Sequence, residues 1–477
     1  MSVLLNIYNK SPANIQNILT SVRGLYLKKI RYNKHTWETY NFLNESQYWS
    51  LDKLEEYQLN KLKNLIKHSI EFSPYYKNLY NRLDIKVSNI KALSDIDSLP
   101  IISKEDFRNN NLSIVSTHEN SSKMWVSYTS GTTGTPLRAY HTHREVQETM
   151  AFLERLYSWY NPTKFRSRAS FTGKLMVSPE KQCGPFHRKN LAINQWLFSS
   201  HHLSEKNLNI YLNELAKLNP AQIDGIASSI FVIADHIIRT NKIGLINPSV
   251  VIPTSETLWP HIRARIEKAF NCKVANQYGS QEGAPIAYEC IEGGFHTCPE
   301  SGIFEIIRPD GTKCENNETG RLVVTSFLSS GTPLIRYDIG DLASWDQSKC
   351  KCGRKLPKLK NIEGRMDDMF FTKERGIVPR VDSAFKEMPN AIKASQVAQI
   401  TLNSFELRII PDEKTYKDKY ANFLVNNLHD YLGRSVKIKI KILKEINRTK
   451  GGKLRAMVNE SQAVKGEIIN SWNELNN

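Results

Sequence analysis

What this chain lacks narrows it first. Across 477 residues no apolar run approaches the roughly 18–20 residues that a membrane-crossing helix needs. The apolar start, Met1–Tyr8, is too short, and the residues beyond it too polar, for a signal peptide. There is no internal repeat, no low-complexity linker, no arginine-rich block and no basic patch interleaved with aromatics. The formal net charge is +17, but Lys and Arg are spread along the chain, which argues against nucleic-acid binding and leaves another anionic partner as its reading. Cysteines number seven, an odd count in a long chain, which fits free thiols or a metal in a reducing compartment better than a disulfide framework.

What is present is ordinary globular material with one dense polar loop. Hydrophobic residues make up 40% and charged residues 24%, and the length suggests about two or three domains. Leu51, Leu54, Leu62, Leu65, Ile66 and Ile70 recur near helical spacing, so residues 45–72 are predicted helical, ending at Ser73-Pro74. Val250–Thr254 reads as a strand and His261–Phe270 as a helix, and such alternation up to about residue 345 argues for an α/β domain with mainly parallel sheets. After Asp367 comes a smaller α+β segment. Thr129–Thr135 packs five hydroxyl side chains and two glycines into seven residues, between Tyr128 and Pro136. Gly131 and Gly134 allow a tight turn and close backbone approach, while Ser130, Thr132, Thr133 and Thr135 add donors suited to a polyphosphate. No Gly-Lys-Ser/Thr comes after it, so the loop is not a Walker A sequence.

Three further motifs stand in order along the chain: Asn276-Gln-Tyr-Gly-Ser-Gln-Glu-Gly283, Arg336-Tyr-Asp-Ile-Gly-Asp-Leu342 with Gly364-Arg-Met-Asp-Asp-Met369 behind it, and Arg448-Thr-Lys-Gly-Gly-Lys-Leu-Arg455. Together with the hydroxyl loop they resemble the adenylate-forming superfamily of acyl- and aryl-CoA ligases, in its phenylacetate–CoA ligase branch and, within that, the CapK-type proteins of capsular polysaccharide synthesis. The resemblance runs from the N-terminal region to Lys453. It implies an α/β fold with a large adenylation domain, 1–366, and a small mobile α+β domain, 367–477, hinged at Asp367. It also implies an ATP-dependent, AMP-forming carboxylate ligase, expected in the cytoplasm.

Carboxylate activation brings two anions together, so Mg²⁺, cationic groups and positioned donors carry it. The resemblance gives Ser130, Gly131, Thr132, Thr133 and Gly134 the β- and γ-phosphates, Tyr278 and Gly279 the adenine, and Asp341 the ribose diol, with Asp338 as a nearby rival. Glu282 suits Mg²⁺, which takes a carboxylate beside phosphate oxygens. Gln281 stands where family members have Thr. Arg365 offers a planar fork for phosphate. Ser255 and Glu256 lie where the family lines its pockets, although Gly-Glu is the commoner pair there. Lys453, on a loop with Gly451 and Gly452, is the mobile catalytic candidate, with Lys450 and Arg455 as rivals. Residues 165–204, with Cys183, His187, His201 and His202, are expected near the acyl pocket.

Cys350-Lys-Cys352, taken with Cys290 and His296, makes a Cys₃His set that suits structural Zn²⁺, and Cys298 or Cys314 could substitute. Free reduced thiols are the equal alternative. The expected substrates are ATP and a small carboxylic or amino acid. The acyl acceptor is expected to be a glycan precursor, with CoA as the runner-up, and a non-catalytic binding descendant of the fold remains the other class.

Overall fold

The computed structural model describes residues 8–128, 138–160, 166–174, 176–178, 181–256, 258, 260–365, 370–378, 381–385, 391–447, 455–464 and 467. The chain divides into two compact units, one of Met1–Tyr26, Thr163–Asn276 and Gly364–Asn477, the other of Leu27–Pro162 and Gln277–Glu363.

In the second unit, the predicted helix begins at Leu51 rather than at 45, because the helix Lys34–Ser46 ends first and Ser50 caps the new start by accepting from the Lys53 N–H; within Leu51–Phe72 the period holds, with Leu54, Leu62, Leu65 and Ile66 buried. Pro74 opens the next helix, Pro74–Arg82, where its missing N–H costs nothing. These helices pack on one core with Phe107, Phe304, Leu334 and Tyr337. A two-stranded hairpin, β1 (Trp125–Tyr128) and β2 (Arg138–His141), brackets the hydroxyl loop, pairing Tyr128 with Arg138 across its neck.

The first unit carries a six-stranded sheet of β3 (Arg168–Thr172), β4 (His187–Asn190), β5 (Gln195–Ser199), β6 (Gln222–Ile226), β7 (Val250–Thr254) and β8 (Lys273–Val274). Its order is β4-β5-β3-β6-β7-β8, with every neighbour parallel except the edge strand β4. Helices Leu208–Leu218, Ala227–Arg239 and Pro260–Phe270 make the crossovers and bury Leu212, Ile230, Ile233 and Ile266 against it. This is the parallel sheet that the alternation predicts.

The sheet of the second unit has seven strands, and the pairs β12–β13, β13–β14, β15–β11, β11–β10 and β10–β9 run antiparallel. The strands are β9 (Gln277–Tyr278), β10 (Ala287–Glu289), β11 (Phe295–Thr297), β12 (Gly302–Ile307), β13 (Gly320–Ser326), β14 (Tyr337–Asp346) and β15 (Lys358–Arg365). Several are only two or three residues long, too short for a period to show in sequence. The C-terminal part of the first unit holds the hairpin β16 (Phe370–Thr372) and β17 (Gly376–Val378). It also holds a mixed sheet of β18 (Ile392–Thr401), β19 (Ser404–Pro411), β20 (Lys437–Ile442) and β21 (Met457–Asn459), with the helix Asp418–Leu432 burying Leu424 and Leu428. It is α+β, as expected. Asp367 lies outside the described residues.

Candidate functional site

The second unit gathers most of the described candidates. Tyr278 stands at the end of β9, and its phenol donates to Asp341 Oδ2 over 2.6 Å. Asp341 lies within β14, two residues beyond Ile339, which is buried in the core. Its rival is otherwise engaged: Asp338 accepts from Arg321 Nη1 at 3.0 Å and from the Gly340 N–H at 3.0 Å. The sequence leaves Asp338 and Asp341 open; the geometry ties Asp341 to Tyr278 and Asp338 to the sheet.

The turn after β9 carries Gly279, Gln281 and Glu282. A Cβ at Gly279 would meet no protein atom within 4 Å, so packing does not demand glycine there. Glu282 is 2% exposed. The turn is sewn to the hydroxyl-loop hairpin by residues that the motifs did not single out. Ser127 Oγ donates to the Gln281 carbonyl at 2.5 Å and lies 2.8 Å from His141 Nε2, itself 3.2 Å from that carbonyl. Burial holds the His141 imidazole below its ordinary pKa, against the opposing pull of the Gln281 carbonyl and the Glu282 charge. Gly283 has φ +91°, and a Cβ there would come 3.1 Å from His141 Cε1. Left-handed backbone and close packing together account for glycine. The neck of the hydroxyl loop and the Glu282 turn are therefore held as one piece. Ser130, Gly131, Thr132, Thr133 and Gly134 lie outside the described residues, as does Lys453.

In the first unit the parallel strands end on a common edge, where open α/β sheets bind ligands. Ser255 and Glu256 sit at the end of β7. Ser255 adopts φ +72°, a left-handed conformation that a non-glycine residue holds only under constraint. Glu256 accepts from the Ser228 N–H at 2.7 Å and its hydroxyl at 3.1 Å, so its carboxylate caps the helix Ala227–Arg239. His202 bridges Ser199 Oγ and the Ser178 carbonyl, and His201 reaches the Gly173 carbonyl at 2.8 Å. His187 lies on the edge strand β4, stacked on Trp196, and Cys183 is exposed. Arg365 closes β15, with its side chain outside the described residues.

A separate cluster lies in the second unit. The ligand atoms of Cys290, His296, Cys350 and Cys352 all fall within 4.8 Å of one another. Cys290 Sγ is 3.5 Å from Cys350 Sγ, and Cys352 Sγ 3.3 Å from His296 Nε2. The other ring nitrogen, Nδ1, lies 2.9 Å from the Leu356 carbonyl, which fixes the ring with Nε2 toward the thiols. A Cβ at Gly294 would come 2.7 Å from Cys350 Sγ and 3.0 Å from His296 Nε2, so a side chain there would press into the cluster. Burial lowers His296 to about 4 and raises the Cys290 thiol to about 12. For Cys352 burial acts upward, but hydrogen bonds from Arg354, Cys350 and Cys290 together hold the thiol below its usual value. Cys298, fully buried, and Cys314 are not part of the cluster.

A parallel α/β sheet, an antiparallel sheet carrying the Tyr278–Asp341 pair and a C-terminal α+β segment together have the fold of solved acyl-CoA ligases. The chain belongs to the CapK family: it is 30% identical over 456 residues to Protein CapK of Staphylococcus aureus, covering 95% of this chain and 98% of that one. Residues 370–460 match the family model described as the CapK C-terminal domain. Phenylacetate-coenzyme A ligase of Thermus thermophilus is 22% identical over 444 residues, covering 85% of this chain and 96% of that one. Among solved structures, 2-hydroxyisobutyryl-CoA ligase in its postadenylation state matches with a TM-score of 0.70 at 18% identity, over 90% of this chain and 94% of that chain.

Proposed function

We propose that the protein activates a small carboxylic or amino acid with ATP, forming an acyl-adenylate and releasing pyrophosphate, and then passes the acyl group to an acceptor. The observation that carries this is the Tyr278–Asp341 hydrogen bond beside a hydroxyl-loop neck fastened to the Glu282 turn. Asp341 accepts the ribose hydroxyls, and Tyr278 and Gly279 flank the adenine. Ser130, Gly131, Thr132, Thr133 and Gly134 donate to the phosphates, Glu282 takes Mg²⁺ and Arg365 adds a fixed cation. Ser255 and Glu256 shape the pocket through the helix start that Glu256 caps. Lys453, carried by a small domain that begins at 367 and turns there, stabilises the charge developing on the carboxylate and α-phosphate oxygens.

The acceptor is read as a glycan precursor of polysaccharide synthesis, on the resemblance to CapK-type proteins. CoA is the second reading, favoured by relatives named as CoA ligases. The reaction is assigned to the cytoplasm, where its ATP is found. Product analysis with a competent acid, ATP and each acceptor in turn separates the two. Transfer to a nucleotide- or lipid-linked sugar supports the first, and rapid acyl-CoA formation without it supports the second.

The Cys290, His296, Cys350 and Cys352 cluster is assigned to structural Zn²⁺. Three thiols and one oriented imidazole nitrogen match a closed tetrahedral site. Such a site would tie the β10–β11 hairpin to the β14–β15 connection.

A further inference from the structure

The helix Ala13–Arg31 is built inside out. Its buried residues are polar or small: Gln16, Thr20 and Gly24, all in its first-unit part, Ala13–Tyr26. Gln16 accepts from Arg188 Nε, Asn17 Oδ1 accepts from the Lys189 N–H at 2.9 Å, and Ser21 Oγ donates to the Lys189 carbonyl at 3.2 Å. At Gly24 an added Cβ would run into the Asn190 side chain, so the helix lies close against β4.

Its opposite face is apolar and open to solvent. Ile15 is 46% exposed, Ile18 61%, Leu19 43%, Val22 59%, Leu25 59% and Tyr26 63%. At 3.6 residues per turn these six fall within an arc of about 120° opposite Thr20. Leu191, whose N–H donates to Ser21 Oγ, is 73% exposed and extends the apolar surface past the end of β4. Single exposed apolar residues are unremarkable, but a contiguous stripe marks an interaction surface.

Charge selects the partner. From Met1 to Trp37 the chain has six basic residues, Lys10, Arg23, Lys28, Lys29, Arg31 and Lys34, and no Asp or Glu. A second copy of the helix would set cation against cation. A bilayer containing anionic lipid offers hydrocarbon to the stripe and negative headgroups to the exposed Arg23 and Lys29. Among the described residues no helix is long and apolar enough to cross a membrane, so the helix would lie in the interface. We propose that Ala13–Arg31 docks the protein on an anionic lipid bilayer, with Ile15, Ile18, Leu19, Val22, Leu25 and Tyr26 in the acyl boundary. The proposal stands apart from the choice of acyl acceptor.

The test is co-sedimentation of the full chain with vesicles of phosphatidylcholine alone or mixed equally with phosphatidylglycerol. The wild type is expected to bind the mixed vesicles and to be released by high salt. Ile18→Ser/Val22→Ser/Leu25→Ser should weaken binding roughly a hundredfold or more. Arg23→Gln/Lys29→Gln, both at exposed positions, should weaken it by roughly tenfold or more on the mixed vesicles alone. The three apolar sites are exposed, so an unchanged thermal melt should accompany the loss. Absence of wild-type binding to mixed vesicles overturns the proposal, as does full binding by the triple-Ser variant. A wild-type dimer that the Ser variant converts to monomer would assign the face to self-association instead.

Discussion

The Tyr278 phenol and the Asp341 carboxylate, 63 residues apart in sequence, meet over 2.6 Å. This bond fixes the rotamer of the acid that the proposed mechanism sets against the ribose. Removing the hydroxyl should leave Asp341 in place but unguided. A hydrogen bond to a charged group contributes about 1.5–3 kcal/mol. Tyr278→Phe is therefore expected to raise the KM for ATP by roughly tenfold to a hundredfold with little change in melting temperature. Asp341→Asn should cost at least as much, and the double variant less than the sum. Additive losses would mean that the pair does not act as a unit.

His141 and Ser127 both reach the Gln281 carbonyl, and His141 also packs on Gly283. His141→Ala should slow pyrophosphate release while the thermal melt changes little, because the hairpin keeps its backbone pairing. Gly283→Ala should slow it too, with an added folding cost of about 1–2 kcal/mol from forcing a side chain into left-handed backbone. Wild-type turnover in both variants would show that the tether is not functional.

His187 gives a pH dependence. Burial lowers it to about 4, against an ordinary value near 6.5. The folded protein therefore keeps it neutral where the unfolded chain takes up a proton. This stability is present above about pH 6.5 and is lost as pH falls from there toward 4. At full extent the loss is about 3 kcal/mol. His187→Phe keeps a ring against Trp196 without a titrating group. It should flatten the fall in melting temperature between pH 6.5 and 4 relative to wild type; an unchanged slope would show that His187 does not drive the fall.

For the cysteine cluster, protein purified without added metal should carry close to one Zn²⁺ per chain. Cys352→Ser should lower both zinc content and solubility, because binding to such a site contributes folding free energy. Elemental analysis without zinc, with every thiol freely titratable, would leave four reduced ligands packed together.

Much of the fold was legible in the sequence where a period, a cap or a spacing carried the signal. The helix Leu51–Phe72 keeps to its apolar spacing, and the strand Val250–Thr254 and helix Pro260–Phe270 form where the sequence places a strand and a helix. Cys290, His296, Cys350 and Cys352 could be grouped by residue type, and the structure brings those four together while leaving Cys298 and Cys314 out. The antiparallel sheet was not legible, because strands such as Ala287–Glu289 and Phe295–Thr297 are too short to show alternation. Nor were Ser127 and His141, whose roles depend on pairing with a turn about 140 residues away. The spacing of Ile15, Ile18, Val22 and Leu25 is that of a core-facing stripe, yet burial of Gln16, Thr20 and Gly24 turns it outward.

Acid-dependent adenylation by this chain stands or falls on pyrophosphate release from ATP across a panel of carboxylic and amino acids. Release is expected to depend on one class of acid. With Lys453→Ala it should fall by roughly a hundredfold to a thousandfold, with ATP still bound, since one charge-stabilising donor contributes about 2.7–4 kcal/mol. Normal release with Ala at 453 and loss with Lys450→Ala would move the role to Lys450. No acid-dependent release from wild-type protein that binds ATP would contradict the proposed function and leave a binding descendant of the fold.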